Sequence, residues 1–374
     1  MKEIGKIKDA CTVIAGQSPK GTSYNENGEG MEFHQGKKAF GESIIESSNV
    51  WTTEITKIAE PGDILMSVRA PVGPTNITDR KICIGRGLAA IRCNKDIIPH
   101  YILYALRNIE SKIIGNDGAV FNSINKKQIE DLPLPLLSLA EQQSIVDYLD
   151  SAFAKIDAMK ANAEKALNEA KALFQASLKE MLEPKEGWDE KTLGEIAVFS
   201  QGIQVDVNLQ TEIYSPGKVR FLRIIDVTQG NVPPRYIDDP GERYYLKADE
   251  IAMVRYGTVG FVCYGFEGVI ANNLFKVSIK DKSKLQSNYL QYFLKSDLFQ
   301  SHIRKGVGGA ALPAIKFGDI KHIMLGIPPL SEQQSIVETL DSLKSKVDRL
   351  QENYDKISQE CDALKQAILQ QVFE

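Results

Sequence analysis

The tract Glu-Gln-Gln-Ser-Ile-Val occupies residues 141–146 and recurs unchanged at residues 332–337, in a chain of 374 residues. The similarity extends beyond the tract, because 12 of the 19 positions in residues 139–157 are identical to those in residues 330–348 without a gap. A repeat period of about half the chain length indicates a molecule built twice from one plan. We therefore expect a pseudo-two-fold body.

Weaker similarity connects the two segments that precede the tract. Residues 62–69 resemble residues 248–255, and residues 5–7 align with residues 194–196. The repeat thus spans most of the chain and predicts four segments in the order globule, long helix, globule, long helix.

Residues 138–183 have the apolar periodicity of one long helix. They contain neither Gly nor Pro between residues 139 and 182, and Ser138 with Glu141 forms a capping box at the start. Apolar side chains recur at spacings of three and four along one face, at Val146, Leu149, Phe153, Ile156, Ala163, Leu167, Ala170, Phe174 and Met181. A helix of this length would extend for about 65 Å at 1.5 Å per residue.

Residues 328–374 repeat the helical pattern with larger side chains. The apolar face consists of Leu340, Leu343, Val347, Leu350, Tyr354, Ile357, Cys361, Leu364 and Ile368. Small residues on one helix opposite large residues on the other favour close packing. We therefore expect an antiparallel coiled coil, with the C-terminal helix abutting the first globule. The alternative is that each helix lies only on its own globule.

Residues 1–137 and 184–327 read as compact α+β domains. Short β-like runs at residues 63–69, 219–225 and 274–279 alternate with Gly, Pro and Asn turns. Short helices are expected at residues 99–106 and 288–298. The predicted fold class is therefore α+β, with two globular domains alternating with two long helices.

The net charge of −4 is unevenly distributed. Residues 1–137 and 184–327 carry +1 and +2, whereas residues 138–183 and 328–374 carry −3 and −4. The globules can therefore hold the local basic patches that phosphate contact requires. The absence of a long apolar run predicts no membrane segment and a cytoplasmic protein.

The sequence lacks the constellations of an enzyme. It has no Walker-type loop, no Gly-x-Ser-x-Gly elbow and no His-Glu-x-x-His motif, and the four histidines are isolated from one another. Asn-Val-Pro-Pro-Arg at residues 231–235 reads as a turn, and Gly-Val-Gly-Gly at 306–309 as a flexible loop. No metal site and no cofactor are expected.

The doubled helix entries carry a family resemblance. Residues 134–143 read Leu-Pro-Leu-Leu-Ser-Leu-Ala-Glu-Gln-Gln, and residues 327–334 read Ile-Pro-Pro-Leu-Ser-Glu-Gln-Gln. Together with the strand-like residues 62–69 and 248–257, they make the chain similar to the specificity (S) subunit of type I DNA restriction–modification enzymes over essentially its whole length.

The resemblance implies a non-catalytic subunit that recognises double-stranded DNA. Target-recognition domains at 1–137 and 184–327 would each read one half of a bipartite site, and the helices at 138–183 and 328–374 would set the spacer. These helices would also dock two methylation (M) subunits, which recruit restriction (R) subunits. The alternatives are a stand-alone DNA-modifying enzyme and a coiled-coil scaffold that binds only protein.

Sequence readout requires amide or guanidinium donors at base edges and cations on phosphates. In the first globule the candidates are Gln17, Lys20, Lys37, Lys38, Arg69, Arg86, Asn122, Asn125 and Lys126. In the second they are Gln201, Gln204, Arg220, Arg223, Arg255, Tyr256, Asn272, Asn273, Lys305 and Lys316. Each one taken singly can instead be an ordinary solvated surface residue.

Two groups of candidates have a definite alternative role. Arg69 and Arg255 occupy equivalent repeat positions, which suits either phosphate contacts or ion pairs with Asp63 and Asp249, respectively. Docking of the methylation subunits is assigned to the residues at the two helix starts: Glu141, Gln142, Glu332 and Gln333. Their alternative role is helix capping.

Overall fold

A computed structural model describes residues 3–113, 123–306 and 314–374. The chain divides into two compact units, one comprising the residues up to Ala163 together with Asp355–Glu374, and the other Glu164–Tyr354. The C-terminal segment therefore belongs to the same unit as the first globule. This confirms that the end of the second long helix abuts that globule.

The first half of the chain folds into eleven strands and four α-helices within the described residues, besides two short 3-10 helices (Gly21–Ser23 and Lys37–Ala39). The strands are β1 (Glu3–Lys6), β2 (Cys11–Ala15), β3 (Tyr24–Asn25), β4 (Met31–His34), β5 (Trp51–Thr52), β6 (Ile58–Ala59), β7 (Ile64–Ser67), β8 (Thr75–Ile77), β9 (Ile82–Ile84), β10 (Leu88–Cys93) and β11 (Pro133–Leu136). The helices are α1 (Ile7–Ala10), α2 (Pro99–Ile113), α3 (Lys126–Glu130) and α4 (Leu139–Leu182).

The second half follows the same plan. Its strands are β12 (Asp189–Thr192), β13 (Ala197–Gln201), β14 (Lys218–Leu222), β15 (Arg235–Asp238), β16 (Tyr245–Leu246), β17 (Ile251–Val254), β18 (Val262–Tyr264), β19 (Gly268–Ile270), β20 (Leu274–Ile279) and β21 (Met324–Ile327). Its helices are α5 (Leu193–Ile196), α6 (Ile224–Thr228), α7 (Ser287–Lys295), α8 (Asp297–Gly306), α9 (Phe317–Lys321) and α10 (Leu330–Phe373).

The sheets of the two units are built on a similar plan. An antiparallel sheet of order β2-β10-β7-β8 in the first unit corresponds to β13-β20-β17-β18 in the second. A second sheet contains the parallel pair β4–β9 in the first unit and β14–β19 in the second. A short ladder, β1–β11 or β12–β21, precedes each long helix. The α+β prediction is confirmed, and the repeat extends to the sheets, although the second sheet has five strands in the first unit and four in the second.

Two local expectations from the sequence are wrong. The strand expected at 219–225 ends at Leu222, because the Asp226 carboxylate accepts the backbone N–H of Arg223 (2.8 Å) and starts helix α6. The alignment of residues 5–7 with 194–196 is shifted by three. Helices α1 and α5 begin at Ile7 and Leu193, both fully buried, so these two residues correspond.

The long helices α4 and α10 contain 44 residues each. In the first unit Asp157 bonds Lys365 (2.5 Å) and Lys160 bonds Asp362 (3.5 Å). As the residue number rises along α4, the number of the bonded residue in α10 falls. The two helical segments therefore run antiparallel, as predicted. In the second unit Lys171 bonds Gln351 (2.7 Å).

The same face of α4 also packs on the first globule. The ring of Phe153 meets Tyr104 edge-on at 5.5 Å, and the Tyr104 hydroxyl donates to Asp150 (2.5 Å). Coiled-coil packing and packing on the globule therefore coexist. Leu364 was expected in the seam but is 48% exposed. Lys365 takes its place, because its ammonium lies over the Phe153 ring at 5.5 Å.

Gln142 joins the start of α4 to the start of α2. Its side-chain oxygen accepts the N–H of Ile98 (2.9 Å), and its amide nitrogen donates to the carbonyls of Asp96 (3.1 Å) and Leu137 (2.9 Å). The side chain is fully buried. Backbone groups at the entry of a helix have no hydrogen-bond partner within that helix. The three bonds of Gln142 satisfy such groups at the entries of two helices.

Gln333 makes the same three bonds in the second unit. It accepts the N–H of Gln286 (2.9 Å) and donates to the carbonyls of Lys284 (2.8 Å) and Pro328 (2.9 Å). It too is fully buried. The assignment of Gln142 and Gln333 to partner docking is therefore wrong, since neither amide can be reached from outside.

The glutamates at the two helix starts differ from these glutamines. Glu141 accepts the backbone N–H of Ser138 (2.9 Å), while the Ser138 hydroxyl accepts the N–H of Glu141 (3.4 Å). This is the capping box predicted from the sequence, and Glu141 remains exposed. Glu332, whose backbone N–H donates to Pro329 (2.9 Å), is partly exposed.

Gln142→Ala leaves three backbone groups without partners in the protein interior. We expect it to lower the free energy of unfolding by roughly 3–5 kcal/mol, and Gln333→Ala to do the same for the second unit. The matched control is Gln143→Ala, which removes only an exposed bond to Asp147 (2.7 Å) and should cost less than about 0.5 kcal/mol. Urea unfolding measures all three. Equal losses for positions 142 and 143 would contradict the structural role.

Candidate nucleic-acid interface

In the first unit three loops meet beside the ends of β2, β4 and β10. The N–H of Gly16 donates to the carbonyl of Leu88 (2.9 Å), and the N–H of Gly85 donates to that of His34 (2.8 Å). These bonds hold residues 16–18, 35–36 and 85–87 together. We call these residues the first loop edge.

The second unit forms the same junction from different residues. The N–H of Gly202 donates to Leu274 (3.0 Å), and the N–H of Ala271 donates to Leu222 (2.9 Å). Residues 202–204, 223 and 271–273 form this second loop edge. The repeat thus places two equivalent sets of loops on equivalent sheets.

A glycine is required where each of these junctions is tightest. A Cβ atom at Gly16 would lie 2.2 Å from the carbonyl oxygen of Gly85, and one at Gly202 would lie 2.2 Å from that of Ala271. No side chain can be accommodated so close to backbone. The two glycines therefore fix the path of the chain at these junctions.

Polar side chains occupy the first loop edge. The Ser18 hydroxyl donates to the side-chain oxygen of Gln35 (2.9 Å) and accepts the backbone N–H of Arg86 (3.2 Å). Gln35 and Arg86 are exposed. The guanidinium of Arg86 and the amide nitrogen of Gln35 make no hydrogen bond to any described residue, so both are available as donors.

The first loop edge borders a cleft of about 960 Å³. The ring of Tyr24 stacks on Phe33 at 4.9 Å and forms an apolar wall. Lys38 and Arg86, two of the predicted DNA-binding residues, lie in the lining together with Ser18 and Gln35. The cleft therefore combines an aromatic surface with cations and amide donors, as nucleic-acid sites do.

A buried ionic network supports the wall of the cleft. The carboxylate of Glu32 accepts two bonds from Arg80 (2.7 and 2.8 Å), one from the Ser48 amide (2.6 Å), and pairs with the His34 ring (2.9 Å). Arg80 also donates to the carbonyl of Glu46 (3.0 Å). Because residues 46–50 line the cleft, this network fixes their position.

The network controls two protonation states. Burial would raise the pKa of Glu32, but the bonds from Arg80, Ser48 and His34 outweigh it and lower that pKa to about 2. Burial lowers the pKa of His34, which Glu32 only partly offsets. The carboxylate of Glu32 is therefore ionised at neutral pH, where Arg80 balances its charge.

An amide pair occupies the second loop edge. The Asn272 side-chain nitrogen donates to the Gln204 side-chain oxygen (3.0 Å), and Gln201 donates to the backbone carbonyl of Asn272 (3.0 Å). Gln204 is exposed and Asn272 half-buried. The structure thus brings together three of the predicted residues, with Gln201 supporting the other two.

Arg220 and Arg223 have a structural role. Asp226 is 5% exposed, and its two oxygens accept bonds from Arg220 (2.7 Å) and from Arg223 (2.7 and 3.1 Å). Arg223 also donates to the carbonyl of Pro233 (2.9 Å). The prediction that these guanidinium groups are free for DNA is corrected, since a buried carboxylate needs them as counter-ions.

The structure does not form the ion pairs that were the alternative role of Arg69 and Arg255. Asp63 bonds Arg92 (2.7 Å) and Asp249 bonds Lys282 (2.7 Å). Arg69 is exposed, and its guanidinium has no partner within the described parts of the chain. The phosphate-contact alternative therefore remains open for Arg69.

Arg255 differs from its counterpart. Its guanidinium donates to the carbonyl of Ile315 (3.0 Å) and lies over the ring of Tyr256 at 5.0 Å. Tyr256 is 40% exposed, so the pair presents an aromatic face with a cation held behind it. Asn273 contributes little to this surface, because its side-chain oxygen is buried without a hydrogen-bond partner in the described residues.

The remaining candidates are spread over both units. Exposed or partly exposed cations and amides are Gln17, Lys20, Lys37, Lys126, Lys305 and Lys316. Asn125 caps helix α3, because its side chain accepts the N–H of Gln128 (3.0 Å). Asn122 lies outside the described residues. Of the six exposed or partly exposed residues, only Gln17 lies at a loop edge, directly after Gly16.

Ser18 and Gln35 lie at the first loop edge; Ser18 belongs to the polar loop at residues 17–20 that holds the candidates Gln17 and Lys20, whereas no pattern in the sequence singles out Gln35. Their signal is the repeat itself, which pairs them with Gln204 and Arg223 once the strands are placed. Across residues 3–113, 123–306 and 314–374, no cluster of His, Cys, Asp and Glu could hold a metal ion. In the same residues no helix is both long and apolar enough to cross a membrane.

A model of the type I restriction modification DNA specificity domain matches residues 2–169 and 185–359. The two matches cover most of the chain and correspond to the two copies of the repeat. The chain belongs to this specificity family.

Curated members of the specificity family show the same relationship. The putative type I restriction enzyme MjaX specificity subunit of Methanocaldococcus jannaschii is 46% identical over 140 residues, which are 37% of this chain and 32% of that protein. The chain thus spans only about a third of that relative in the match. The StySPI specificity subunit of Salmonella potsdam is 25% identical, over 77% of this chain and 68% of its own.

Two solved structures share the fold. A chain from a structure on complex assembly and conformational transition of the type I R-M system superposes with a TM-score of 0.80 at 17% identity, covering 100% of this chain and 97% of its own. The HsdS subunit from Thermoanaerobacter tengcongensis gives 0.57 at 18% identity, with 99% and 96% covered.

Glu32→Gln removes the buried charge beneath the cleft. Because the folded-state pKa of Glu32, about 2, lies below its ordinary value of 4.5, the wild-type carboxylate stabilises the fold above pH 4.5 and loses that contribution as the pH falls towards 2. We expect the variant to be less stable by roughly 3 kcal/mol at pH 7, with the difference shrinking at pH 3. Urea unfolding at both pH values measures it. Glu26→Gln, at an exposed carboxylate, is the control; parallel losses at both pH values would contradict the prediction.

Proposed function

We propose that the chain is the non-catalytic DNA-specificity subunit of a type I restriction–modification complex, and that it recognises a bipartite site in double-stranded DNA. The observation that carries this proposal is the repeated loop edge, in which equivalent backbone bonds present different polar side chains in the two units. A protein that reads two different half-sites needs a common backbone arrangement that presents different hydrogen-bonding side chains in its two units.

We assign residues 1–137 and 184–327 as the two target-recognition domains. Residues 138–183 and 328–374 are the spacer helices. Each long helix continues from one unit into the other, because α4 passes the boundary at Ala163 and α10 passes that at Tyr354. A continuous helix is stiff, so the length of these segments should set the separation of the half-sites.

The DNA contacts divide into base readers and backbone anchors. We assign base reading to the side chains of the loop edges, and phosphate contact to Lys38 and Arg69, whose cationic groups have no ion-pair partner among the residues that the structure describes. The exposed lysines Lys20, Lys37, Lys126, Lys305 and Lys316 are further candidates for phosphate contact. Four predicted residues are left out of this assignment. Arg220 and Arg223 are bonded to Asp226, Asn125 caps helix α3, and the side-chain oxygen of Asn273 is buried.

Docking of two methylation subunits is the second part of the proposal, with restriction subunits recruited through them. Leu139 and Leu330 begin the two long helices and are 51% and 39% exposed. They lie beside Glu141 and Glu332, and two equivalent apolar and acidic sites suit two copies of one partner. The structure from the type I R-M system concerns complex assembly. Catalysis and its cofactors would reside in these partners, in the cytoplasm.

Exchange of residues 1–137 for the corresponding segment of another specificity protein tests the division of labour. The complex with its methylation subunits should then methylate a motif altered in one half-site only, as read by single-molecule methylation sequencing. The matched control exchanges residues 184–327 and should alter the other half-site. A protein-only scaffold predicts no motif change from either exchange, and a stand-alone enzyme predicts methylation without the partner subunits.

A heptad inserted into both long helices, after Ala163 and after Tyr354, tests the spacer. Seven residues lengthen each helix by about 10 Å, which is roughly three base pairs of duplex. The methylated motif should keep both half-sites and gain a longer spacer. Insertion in α4 alone is the control, because it breaks the pairing with α10 and should abolish methylation. An unchanged spacer after the double insertion would refute the ruler role.

A further inference from the structure

The two loop edges differ in the hydrogen-bonding groups that they present. Backbone bonds and strand pairing fix three equivalent positions, and these pair Ser18 with Gln204, Gln35 with Arg223, and Arg86 with Asn272. The frame is the same at all three positions, and the side chains are different at all three. Positions of this kind are where one fold can read two different sequences.

The first loop edge presents donors. The Gln35 oxygen accepts from the Ser18 hydroxyl (2.9 Å), and its amide nitrogen has no hydrogen-bond partner among the described residues. The exposed guanidinium of Arg86 offers only N–H groups. Lys38 lines the same cleft and adds a third donor. This edge is therefore complementary to a base that presents acceptors.

The second loop edge presents one donor and one acceptor. The bond between Asn272 and Gln204 (3.0 Å) uses one amide nitrogen and one amide oxygen, and leaves the nitrogen of Gln204 and the oxygen of Asn272. Reversing both amides leaves the same combination, so the result does not depend on how the amides are oriented. The position of Gln35 is taken by Arg223, which is held by Asp226 and cannot compensate.

In the major groove guanine presents two acceptors, O6 and N7, whereas adenine presents the acceptor N7 beside the donor N6–H₂. We infer that Gln35 and Arg86 read guanine in one half-site, and that Gln204 and Asn272 read adenine in the other. Ser18 is a positioning residue, because it orients the Gln35 amide. This inference rests on the proposed function and adds which base each unit recognises and through which side chains.

The experiment uses the full chain assembled with its methylation subunits and reads the methylated motif by single-molecule sequencing. Arg86→Ala and Gln35→Ala should relax one guanine of one half-site, with a roughly 5- to 150-fold loss of preference for that base and no change in the other half-site. Arg86→Lys keeps the charge but loses the guanidinium fork, so it should relax the same guanine. Lys81→Ala, a surface cation of the same unit, is the control.

Gln204→Ala and Asn272→Ala should relax one adenine of the opposite half-site by a similar factor. Ser18→Ala should weaken guanine preference less than Gln35→Ala, because the reading atoms remain. If a substitution abolishes methylation, competition binding of the assembled complex to duplexes changed at single positions measures the same preference. That readout needs no turnover.

The inference is overturned if the motif of the Arg86 and Gln35 variants is unchanged, or if the base that they relax is not guanine. It is equally overturned if one variant changes both half-sites. Failure of the proposed function gives a different result, since the wild-type complex would then show no motif of two separated half-sites. The two failures can therefore be told apart from the wild-type control alone.

Discussion

A buried glutamine at the start of each long helix determines how the rest of each unit is arranged. The amide of Gln142 or Gln333 accepts one backbone N–H and donates to two backbone carbonyls, all three in loops that lead into helices. Among uncharged side chains only a primary amide supplies two N–H donors together with an acceptor oxygen, and glutamine has one methylene more reach than asparagine. Without it, burying these helix entries would leave backbone groups unsatisfied.

This constraint explains why the repeat is most exact at the helix entry and fades elsewhere. The tract Glu-Gln-Gln-Ser-Ile-Val contains the buried glutamine of each unit and apolar side chains that pack in its core, so several of its residues serve the fold directly. At the loop edges the requirement falls on the backbone, through Gly16 and Gly202. Each unit also buries a carboxylate near its edge, but Glu32 is balanced by one arginine and Asp226 by two. The two units thus share the backbone geometry of the loop edges, and they differ in the side chains that surround it.

The sequence was sufficient for the elements whose signal lies along the chain. The 44-residue helices, their antiparallel contact and the duplicated α+β units follow from periodicity and repetition. The errors concern partners distant in sequence. Nothing near Arg69 shows that Asp63 is taken by Arg92, and helical periodicity cannot tell that Lys365 rather than Leu364 faces Phe153.

The candidate interface was only partly predictable for the same reason. Arg86, Gln204 and Asn272 were identified as polar residues in loops, and so were Arg220 and Arg223, which turn out to be counter-ions of Asp226. A sequence shows that a side chain can donate a hydrogen bond. It does not show whether another part of the fold has already accepted it, which is a property of the tertiary structure.

The core of the first unit includes Cys361 and Leu369, and Phe373 packs against Tyr101 at 5.6 Å. During translation the nascent first globule must therefore wait for residues about 200 positions beyond its own helix before its apolar surface is covered. The second unit is continuous along the chain and has no such delay. The unit whose synthesis begins first is therefore the last to be completed. A chain still bound to the ribosome would expose the apolar surface of its N-terminal unit to chaperones.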